Sequence, residues 1–241
     1  MSKDEKYTKY FEYFNFFVFS MLLLVLSGNF LVMFFGWELV GLSSYLLISF
    51  WSEKKSASKA GSKAFILNRI GDFGFLIGLM MILNYFETFN FLSIFEDTLK
   101  TRPENLDLII LFLLLGAFGK SAQFPLFSWL PDAMEGPTPA SALIHAATMV
   151  TAGVFMLVRI SPLLQFSEIG SITIISLGLL TALISAFAAI NQDDIKKVLA
   201  YSTISQLGFM FIAIGAGAYV AAIFHLVTVS YTHLTLPTNS N

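Results

Sequence analysis

The sequence predicts an all-α integral membrane protein, a polytopic helical bundle of about seven to eight spans. Of its 241 residues, 56% are hydrophobic and only 12% are charged, against about 25% charged in ordinary soluble domains, and the mean hydropathy is +0.74. Several apolar runs reach the roughly 20 residues that a helix needs to cross a bilayer. The net charge of −2 gives no indication of a nucleic-acid partner, and the absence of cysteine excludes disulfides and thiolate metal sites.

Seven apolar spans follow a short polar arm, and the start of an eighth is expected near residue 219. The arm, residues 1–13, has mixed charge and no small-residue cleavage site, so it does not indicate a signal peptide. A turn at 27–29 separates the first two spans, and Thr138 and Pro139 are expected to begin the fifth as N-cap and first-turn residue. The predicted spans are 14–27, 29–50, 64–85, 107–130, 139–160, 171–190 and 198–217.

Basic residues are concentrated on one side of the predicted bundle. Nine lie in the arm or in the loops after the second and sixth spans, and three lie on the other side. Because an excess of Lys and Arg marks the cytoplasmic or matrix side, the N-terminal arm is expected to face that compartment. The nine are Lys3, Lys6, Lys9, Lys54, Lys55, Lys59, Lys63, Lys196 and Lys197, and the three are Lys100, Arg102 and Arg159.

Five ionisable side chains inside the predicted spans are candidates for chemistry. Glu38 lies midway along the second span, and Arg69 and Asp72 lie one turn apart on the third. Lys120 lies midway along the fourth span and His145 within the fifth. A charge at mid-span costs about 2.5–3.5 kcal/mol on insertion scales. We therefore expect these groups to face one another, or water, inside the bundle.

Most of these candidates also have a purely structural interpretation. Glu38 could serve only as the partner of a cation, and Arg69 and Asp72, spaced i, i+3, could neutralise each other on one helix face. His145 could be a hydrogen-bonded histidine of the bundle, since a lone histidine is a poor metal site, and no metal site is predicted. Lys196, at a predicted membrane interface, could be a charge that only sets topology.

Lys120 is harder to explain structurally because its span is also interrupted. Pro125 removes the hydrogen bond to the carbonyl of Ser121, which predicts a broken helix at Lys120–Pro125. A broken helix beside a charge is how membrane proteins build polar cavities at mid-depth. Burial favours the neutral form of a lysine, whereas a nearby carboxylate favours the charged form. We therefore interpret Lys120 as a proton-binding group whose proton affinity is switched by the distance of Glu38.

Four stretches of the chain resemble a known family. They are GWELVGLSSYLLISFW (36–51), KAFILNRIGDFGFLIG (63–78), GKSAQFPLFSWLPDAMEGPTPASALIHAATMVTAGV (119–154) and DIKKVLAYSTISQLGFMF (194–211). They are similar to the distal antiporter-like subunit, subunit L, of respiratory NADH:quinone oxidoreductase (complex I). The resemblance covers about residues 7–228, and its third stretch is long and highly specific.

The resemblance implies a proton-translocating subunit built of two inverted five-helix repeats, each with a broken helix that carries a lysine. Residues 14–160 would form the first repeat, and 161–228 the start of a truncated second one. NADH, flavin, iron–sulfur clusters and quinone belong to other subunits in that family, so no cofactor and no redox site is expected in this chain. Its partners would be other membrane subunits of complex I and the lipid of a bacterial cell membrane or mitochondrial inner membrane.

The resemblance also implies roles for particular residues. Glu38 matches the acid that pairs with the broken-helix lysine, and Lys120 matches that lysine. His145 matches the histidine of the following helix, and Lys196 matches a lysine that continues the proton route. Each of these residues would therefore take part in proton translocation.

Arg69 and Asp72 match the family's charged pair in the intervening helix, and they also help to distinguish two functions. The alternative is a related subunit of a multi-subunit sodium/proton antiporter, which shares the Glu–Lys layout. The stretch NRIGD, residues 68–72, is expected in the complex I subunit and not in the antiporter. A third possibility is a structural fragment without transport activity, which the flanking coding DNA would distinguish.

The last residues, VSYTHLTLPTNSN (229–241), are predicted not to be the native continuation of the chain. A helix that begins near 219 would have crossed only about 15 Å of a core of about 30 Å before the polar residues begin. In the family this span continues with a second histidine and a further lysine, so His225, a further candidate for the proton route, lacks those companions. We expect an artefactual truncation and no transport by this chain alone, and long-read sequencing of the locus would test this.

Overall fold

A computed structural model of the chain describes residues 6–101, 103–144 and 148–235, the last three of them by their backbone only. Within these ranges the secondary structure is helical, and the single antiparallel bridge joins two turns. The α-helices are α1 (Tyr7–Val25), α2 (Phe30–Ile48), α3 (Lys55–Phe86), α4 (Phe91–Lys100), α5 (Leu106–Lys120), α6 (Thr138–Ala142), α7 (Ala152–Arg159), α8 (Ser161–Leu164), α9 (Glu168–Ile190), α10 (Ile195–Gly215) and α11 (Tyr219–Thr235).

The predicted all-helical membrane architecture is confirmed. In the part of the chain that the structure describes, α2, α3, α9 and α10 are long and apolar enough to cross a membrane. Exposed Leu, Ile and Phe side chains cover the outside of the bundle, as expected for surfaces that face lipid. The number of seven to eight spans and the division into inverted repeats stay predictions.

The fourth predicted span, 107–130, is interrupted where the sequence indicates a break. The helix α5 ends at Lys120, and two short 3₁₀ helices, Phe127–Trp129 and Asp132–Glu135, follow an irregular segment. The prediction of a broken helix at Lys120–Pro125 is thus confirmed. The helix stops five residues before Pro125, however, so the proline lies in the irregular segment.

The fifth predicted span, 139–160, is interrupted in the structure, which the sequence did not indicate. The helix α6 covers only Thr138–Ala142, and α7 begins at Ala152. Pro137, rather than Thr138, is the N-cap residue, and no side chain caps this helix. The hydroxyl of Thr148 donates to the carbonyl of Leu143 at 2.7 Å, and a side-chain hydroxyl that occupies a backbone carbonyl in this way competes with helix formation. His145 lies outside the described residues.

The turns at one end of the bundle pair with each other. Asn29, in the predicted first turn, caps α2 by accepting from the N–H of Val32 at 2.8 Å. It also forms the antiparallel bridge with Asn90, in the turn after α3. The short helix α4 that follows was not predicted, because its 10 residues are too few to cross a membrane.

Contacts at the other end, here called the basic end, bring together two of the predicted basic segments, the arm and residues 54–63. The arm meets the α2–α3 loop through Lys6 and Glu53, with Nζ 2.6 Å from Oε1. The start of α3 meets the second 3₁₀ helix through Lys63 and Asp132, with Nζ 2.6 Å from Oδ2. These pairs show a common end, and the compartment that it faces stays a prediction.

The third span begins earlier than predicted. The helix α3 starts at Lys55 rather than 64 and has 32 residues, so Lys55, Lys59 and Lys63 lie on its first turns and not in a loop. At 1.5 Å per residue its length is about 48 Å, which exceeds a hydrocarbon core of about 30 Å. The basic turns of α3 therefore extend beyond the core.

Glycines allow α3 and α5 to cross at close range. A Cβ at Gly71 would lie 2.9 Å from the carbonyl oxygen of Leu115 and 3.0 Å from the Cα of Gly119. Small residues at such crossings let membrane helices approach backbone to backbone. Because Gly71 precedes Asp72 and Gly119 precedes Lys120, this crossing brings the two charged residues together.

Candidate functional site

The break after α5 is a hydrogen-bonded turn. The N–H of Gln123 donates to the carbonyl of Phe118 at 2.9 Å, and the N–H of Ala122 donates to that of Gly119 at 3.4 Å. Ala122 has φ +49°, the left-handed conformation that usually selects glycine at this position of a helix C-terminus. Lys120 is therefore the last helical residue, and its side chain lies where the backbone leaves the helix.

Polar groups near the break satisfy the freed backbone. The carbonyl of Ser121, which Pro125 was predicted to release, accepts from Nε2 of Gln123 at 2.9 Å. The hydroxyl of Ser121 donates to the carbonyl of Val150 at 2.7 Å, and the N–H of Phe124 donates to Oγ1 of Thr181 on α9 at 3.0 Å. The irregular segment is thus attached to α9 and to the segment before α7, as required where water is scarce.

Lys120 is fully buried and faces Asp72. Its Nζ lies 3.5 Å from Oδ2 of Asp72 and has no hydrogen-bond partner among the described residues. Gly41 on α2 leaves the space that the ammonium occupies, because a Cβ there would lie 2.6 Å from Nζ. A buried ammonium without a hydrogen bond depends on its counter-ion for compensation of its charge.

Trp37 contacts both members of this pair. Its indole N–H donates to Oδ1 of Asp72 at 2.8 Å, and its ring centroid lies 6.0 Å from Nζ of Lys120. Trp37 and Gly41 were missed by the sequence analysis. The position of Trp37 next to the mid-span acid Glu38 could have indicated a role in the site, since a buried indole N–H needs a hydrogen-bond acceptor.

The ion pairs in the structure differ from the predicted ones. Glu38 pairs with Arg69 and not with Lys120, so the predicted Glu38–Lys120 pair is corrected to a Lys120–Asp72 pair. The predicted alternative in which Arg69 and Asp72 neutralise each other is not found either. Successive helical side chains point about 100° apart, so α2 turns Trp37 inward and leaves Glu38 22% exposed beside an Arg69 that is 49% exposed.

Two further predicted site residues lie on α10 and α11. Nζ of Lys196, at the start of α10, donates to Oγ1 of Thr138 on α6 at 3.2 Å. His225 on α11 hydrogen-bonds with Gln206 on α10, its Nε2 lying 2.8 Å from Oε1. The structure therefore brings Glu38, Arg69, Asp72 and Lys120 into one cluster, and it places Lys196 and His225 outside that cluster.

The polar groups around the break are not all hydrogen-bonded. Within the described ranges, no group of three or more acidic or histidine side chains could hold a metal ion. Three buried polar atoms around the break lack a hydrogen-bond partner there, namely Oδ1 of Asn68, Nζ of Lys120 and Oε1 of Gln123. Polar groups left in this state are places where internal water can bind.

An interrupted helix that ends in a buried lysine, inside a bundle of apolar helices, defines an antiporter-like membrane domain. Residues 27–238 match the family described as NADH:quinone oxidoreductase/Mrp antiporter, TM, and the chain belongs to that family. The resemblance drawn from the four sequence stretches is confirmed.

Relatives in this family include respiratory subunits. The chain is 54% identical to NADH-ubiquinone oxidoreductase chain 5 of Acanthamoeba castellanii over 86% of this chain and 32% of that one. It is 51% identical to NADH-quinone oxidoreductase subunit L of Neisseria meningitidis over 87% of this chain and 33% of that one. The chain thus spans about a third of the length of these curated relatives.

A solved structure has a similar fold. The Mrp complex from Dietzia sp. DQ12-45-1b superposes with a TM-score of 0.89 and 35% sequence identity, over 93% of this chain and 25% of that one. The antiporter alternative named from the sequence therefore has a structural relative as well.

Proposed function

We propose that this chain is part of a proton-translocating membrane subunit of NADH:quinone oxidoreductase, in which Lys120 binds and releases the transported proton. The observation that carries the proposal is that Lys120 is fully buried, with its Nζ 3.5 Å from Asp72 and without a hydrogen bond among the described residues. A structural lysine at this depth would cost insertion energy that a methionine avoids.

In this proposal the carboxylate of Asp72 controls the proton on Lys120. A carboxylate close to a buried ammonium favours the charged form, and its withdrawal or protonation favours the neutral amine. A change in the Asp72–Lys120 separation would therefore load or unload the lysine. The Glu38–Arg69 pair, which belongs to the same cluster, would compensate the charge that moves.

Groups beyond the cluster would continue the route. Lys196 reaches α6 through Thr138, and His145, which follows α6 in the sequence, is proposed to take part in the route. His225 and Gln206 link α10 to α11 and would extend the path. The N-terminal arm would face the cytoplasm or the matrix. The redox chemistry, its cofactors and the quinone would belong to other subunits, with which this subunit would assemble in the membrane.

The second candidate is a subunit of a multi-subunit sodium/proton antiporter. The fold similarity to the Mrp complex favours it. The names of the relatives at 54% and 51% identity favour the respiratory subunit, as does the stretch 68–72, where both Arg69 and Asp72 take part in the cluster. Proton transport that needs NADH oxidation and is independent of sodium would separate the respiratory subunit from the antiporter.

The test uses a full-length subunit that carries this sequence, assembled in its complex and reconstituted in vesicles. We expect Lys120→Met to abolish proton pumping by this subunit and to impair coupled turnover, while the assembled complex remains detectable. Lys59→Met, at an exposed lysine of the basic end, is the matched control and should pump normally. A normal ratio of protons to NADH in Lys120→Met would refute the proposal.

A further inference from the structure

We propose that Trp37 is a positioning residue, whose indole N–H orients the Asp72 carboxylate so that its second oxygen faces Lys120. The inference rests on the proposed function, because the Asp72–Lys120 pair is its proton-binding unit. Trp37 itself would neither bind nor release a proton.

The geometry of the carboxylate carries the proposal. One oxygen of Asp72, Oδ1, accepts from Nε1 of Trp37 at 2.8 Å, and the other, Oδ2, lies 3.5 Å from Nζ of Lys120. Because the carboxylate is planar, a strong bond to one oxygen restricts the direction of the second. The Asp72 carboxylate therefore cannot turn to form a closer bond with Lys120 without losing its hydrogen bond from the indole N–H of Trp37.

The indole is itself held in place. Trp37 is fully buried, and Phe75 packs edge-on against it, with ring centroids 5.1 Å apart and an interplanar angle of 85°. Its own ring lies 6.0 Å from Nζ of Lys120, within the range of a cation–π attraction. The Trp37 indole is thus a rigid hydrogen-bond donor that contacts Asp72 and lies close to Lys120.

Other charges near Asp72 do not replace this donor. The charged groups near Asp72 in the described part of the chain are Glu38 on α2, Arg69 on α3 and Lys120 on α5. Arg69 pairs with Glu38, and Lys120 makes no hydrogen bond with any described residue. The indole N–H is therefore the one side-chain hydrogen bond recorded for the Asp72 carboxylate in these residues.

The test is Trp37→Phe in the assembled, reconstituted complex, with NADH-driven proton pumping measured against pH. Phenylalanine keeps an aromatic ring and removes the N–H, so the carboxylate of Asp72 loses the hydrogen bond that orients it. Because this carboxylate faces Lys120, we expect the pH–rate profile of pumping to be displaced from that of the wild type.

Trp129→Phe is the matched control. Trp129 is also fully buried, and its Nε1 donates to the carbonyl of Gly119 at 3.1 Å, so the same substitution removes an indole bond to the residue that precedes Lys120. Because a backbone carbonyl does not titrate, we expect this variant to lower the stability of the complex without displacing the pH–rate profile.

A second measurement does not depend on transport. The infrared carboxyl band of Asp72, assigned by its loss in Asp72→Asn, should change in frequency in Trp37→Phe relative to the wild type, because the indole hydrogen bond is removed. An unchanged band frequency, or a pH–rate profile displaced equally by Trp129→Phe, would overturn the positioning role. Normal pumping by Lys120→Met would instead refute the proposed function, and the infrared band would still decide the role of Trp37.

Discussion

Asp72 and Lys120 face each other across the α3–α5 crossing, with Oδ2 and Nζ 3.5 Å apart and no hydrogen bond between them. The close approach of Gly71 to Gly119 sets the separation of the two helices. Each charge therefore depends on the other for compensation, because the interior of the bundle provides little water or other charge.

The first prediction concerns this mutual dependence. We expect Asp72→Asn to lower the stability of the complex by about 3–5 kcal/mol, because it leaves Lys120 buried without a counter-charge. The double variant Asp72→Asn/Lys120→Met should recover about 1–3 kcal/mol relative to the sum of the single variants. Thermal unfolding of the assembled complex in detergent measures these differences.

The Lys63–Asp132 pair provides the control for that experiment. It lies at the basic end, its side chains are each 42% exposed, and exposed pairs typically couple by about 0.2–1 kcal/mol. Lys63→Gln and Asp132→Asn should therefore couple more weakly than the buried pair. Equal coupling in the two pairs would contradict the burial argument.

The second prediction concerns Gly41. A Cβ at this position would lie 2.6 Å from Nζ of Lys120, and the flexible lysine can move away from it without unfolding the helix. Since alanine favours a helix by about 1 kcal/mol over glycine, Gly41→Ala should assemble normally and still pump more slowly. Proton pumping in vesicles and the yield of complex are the two measurements.

Gly28→Ala is the matched variant for Gly41→Ala. No atom lies within 4 Å of a Cβ at Gly28, so this change should leave both assembly and pumping at the wild-type level. Wild-type pumping by Gly41→Ala would show that the position of the ammonium does not limit transport.

The third prediction concerns orientation, and it uses the absence of cysteine from the chain. Ser52, in the α2–α3 loop, and Ser93, on α4, are both exposed and lie at opposite ends of the bundle. A membrane-impermeant maleimide added outside intact cells or mitoplasts should label Ser93→Cys and spare Ser52→Cys. Inverted vesicles should give the reverse pattern, and labelling of Ser52→Cys from outside would contradict the proposed orientation.

The sequence was sufficient to predict the break after Lys120 and the gathering of charges inside the bundle. Both depend on local chemistry, namely a proline in an apolar span and the cost of an unpaired charge. Which charged side chains pair with each other was not predictable in the same way. Residue spacing shows only which residues share a face of one helix. The orientation of α2 relative to α3 decides that Trp37, and not Glu38, contacts Asp72.

The interruption of the fifth span was missed for a related reason. Residues 139–160 are apolar enough to suggest one helix, but Thr148 and Ser121 direct their hydroxyls to the carbonyls of Leu143 and Val150. The bond to Val150 comes from Ser121, which lies outside this span. The spacing of apolar residues within 139–160 therefore contains no information about that bond.

The unbroken length of α3 has a mechanical consequence. Lys63 holds the segment after the broken helix through Asp132, and Asp72 follows nine residues later on the same helix, about 13.5 Å away at 1.5 Å per residue. A helix transmits displacement where a loop would absorb it. A small tilt of α3 imposed at the membrane surface would therefore alter the distance between Asp72 and Lys120. A force applied outside the hydrocarbon core could in this way determine when a proton is released inside it.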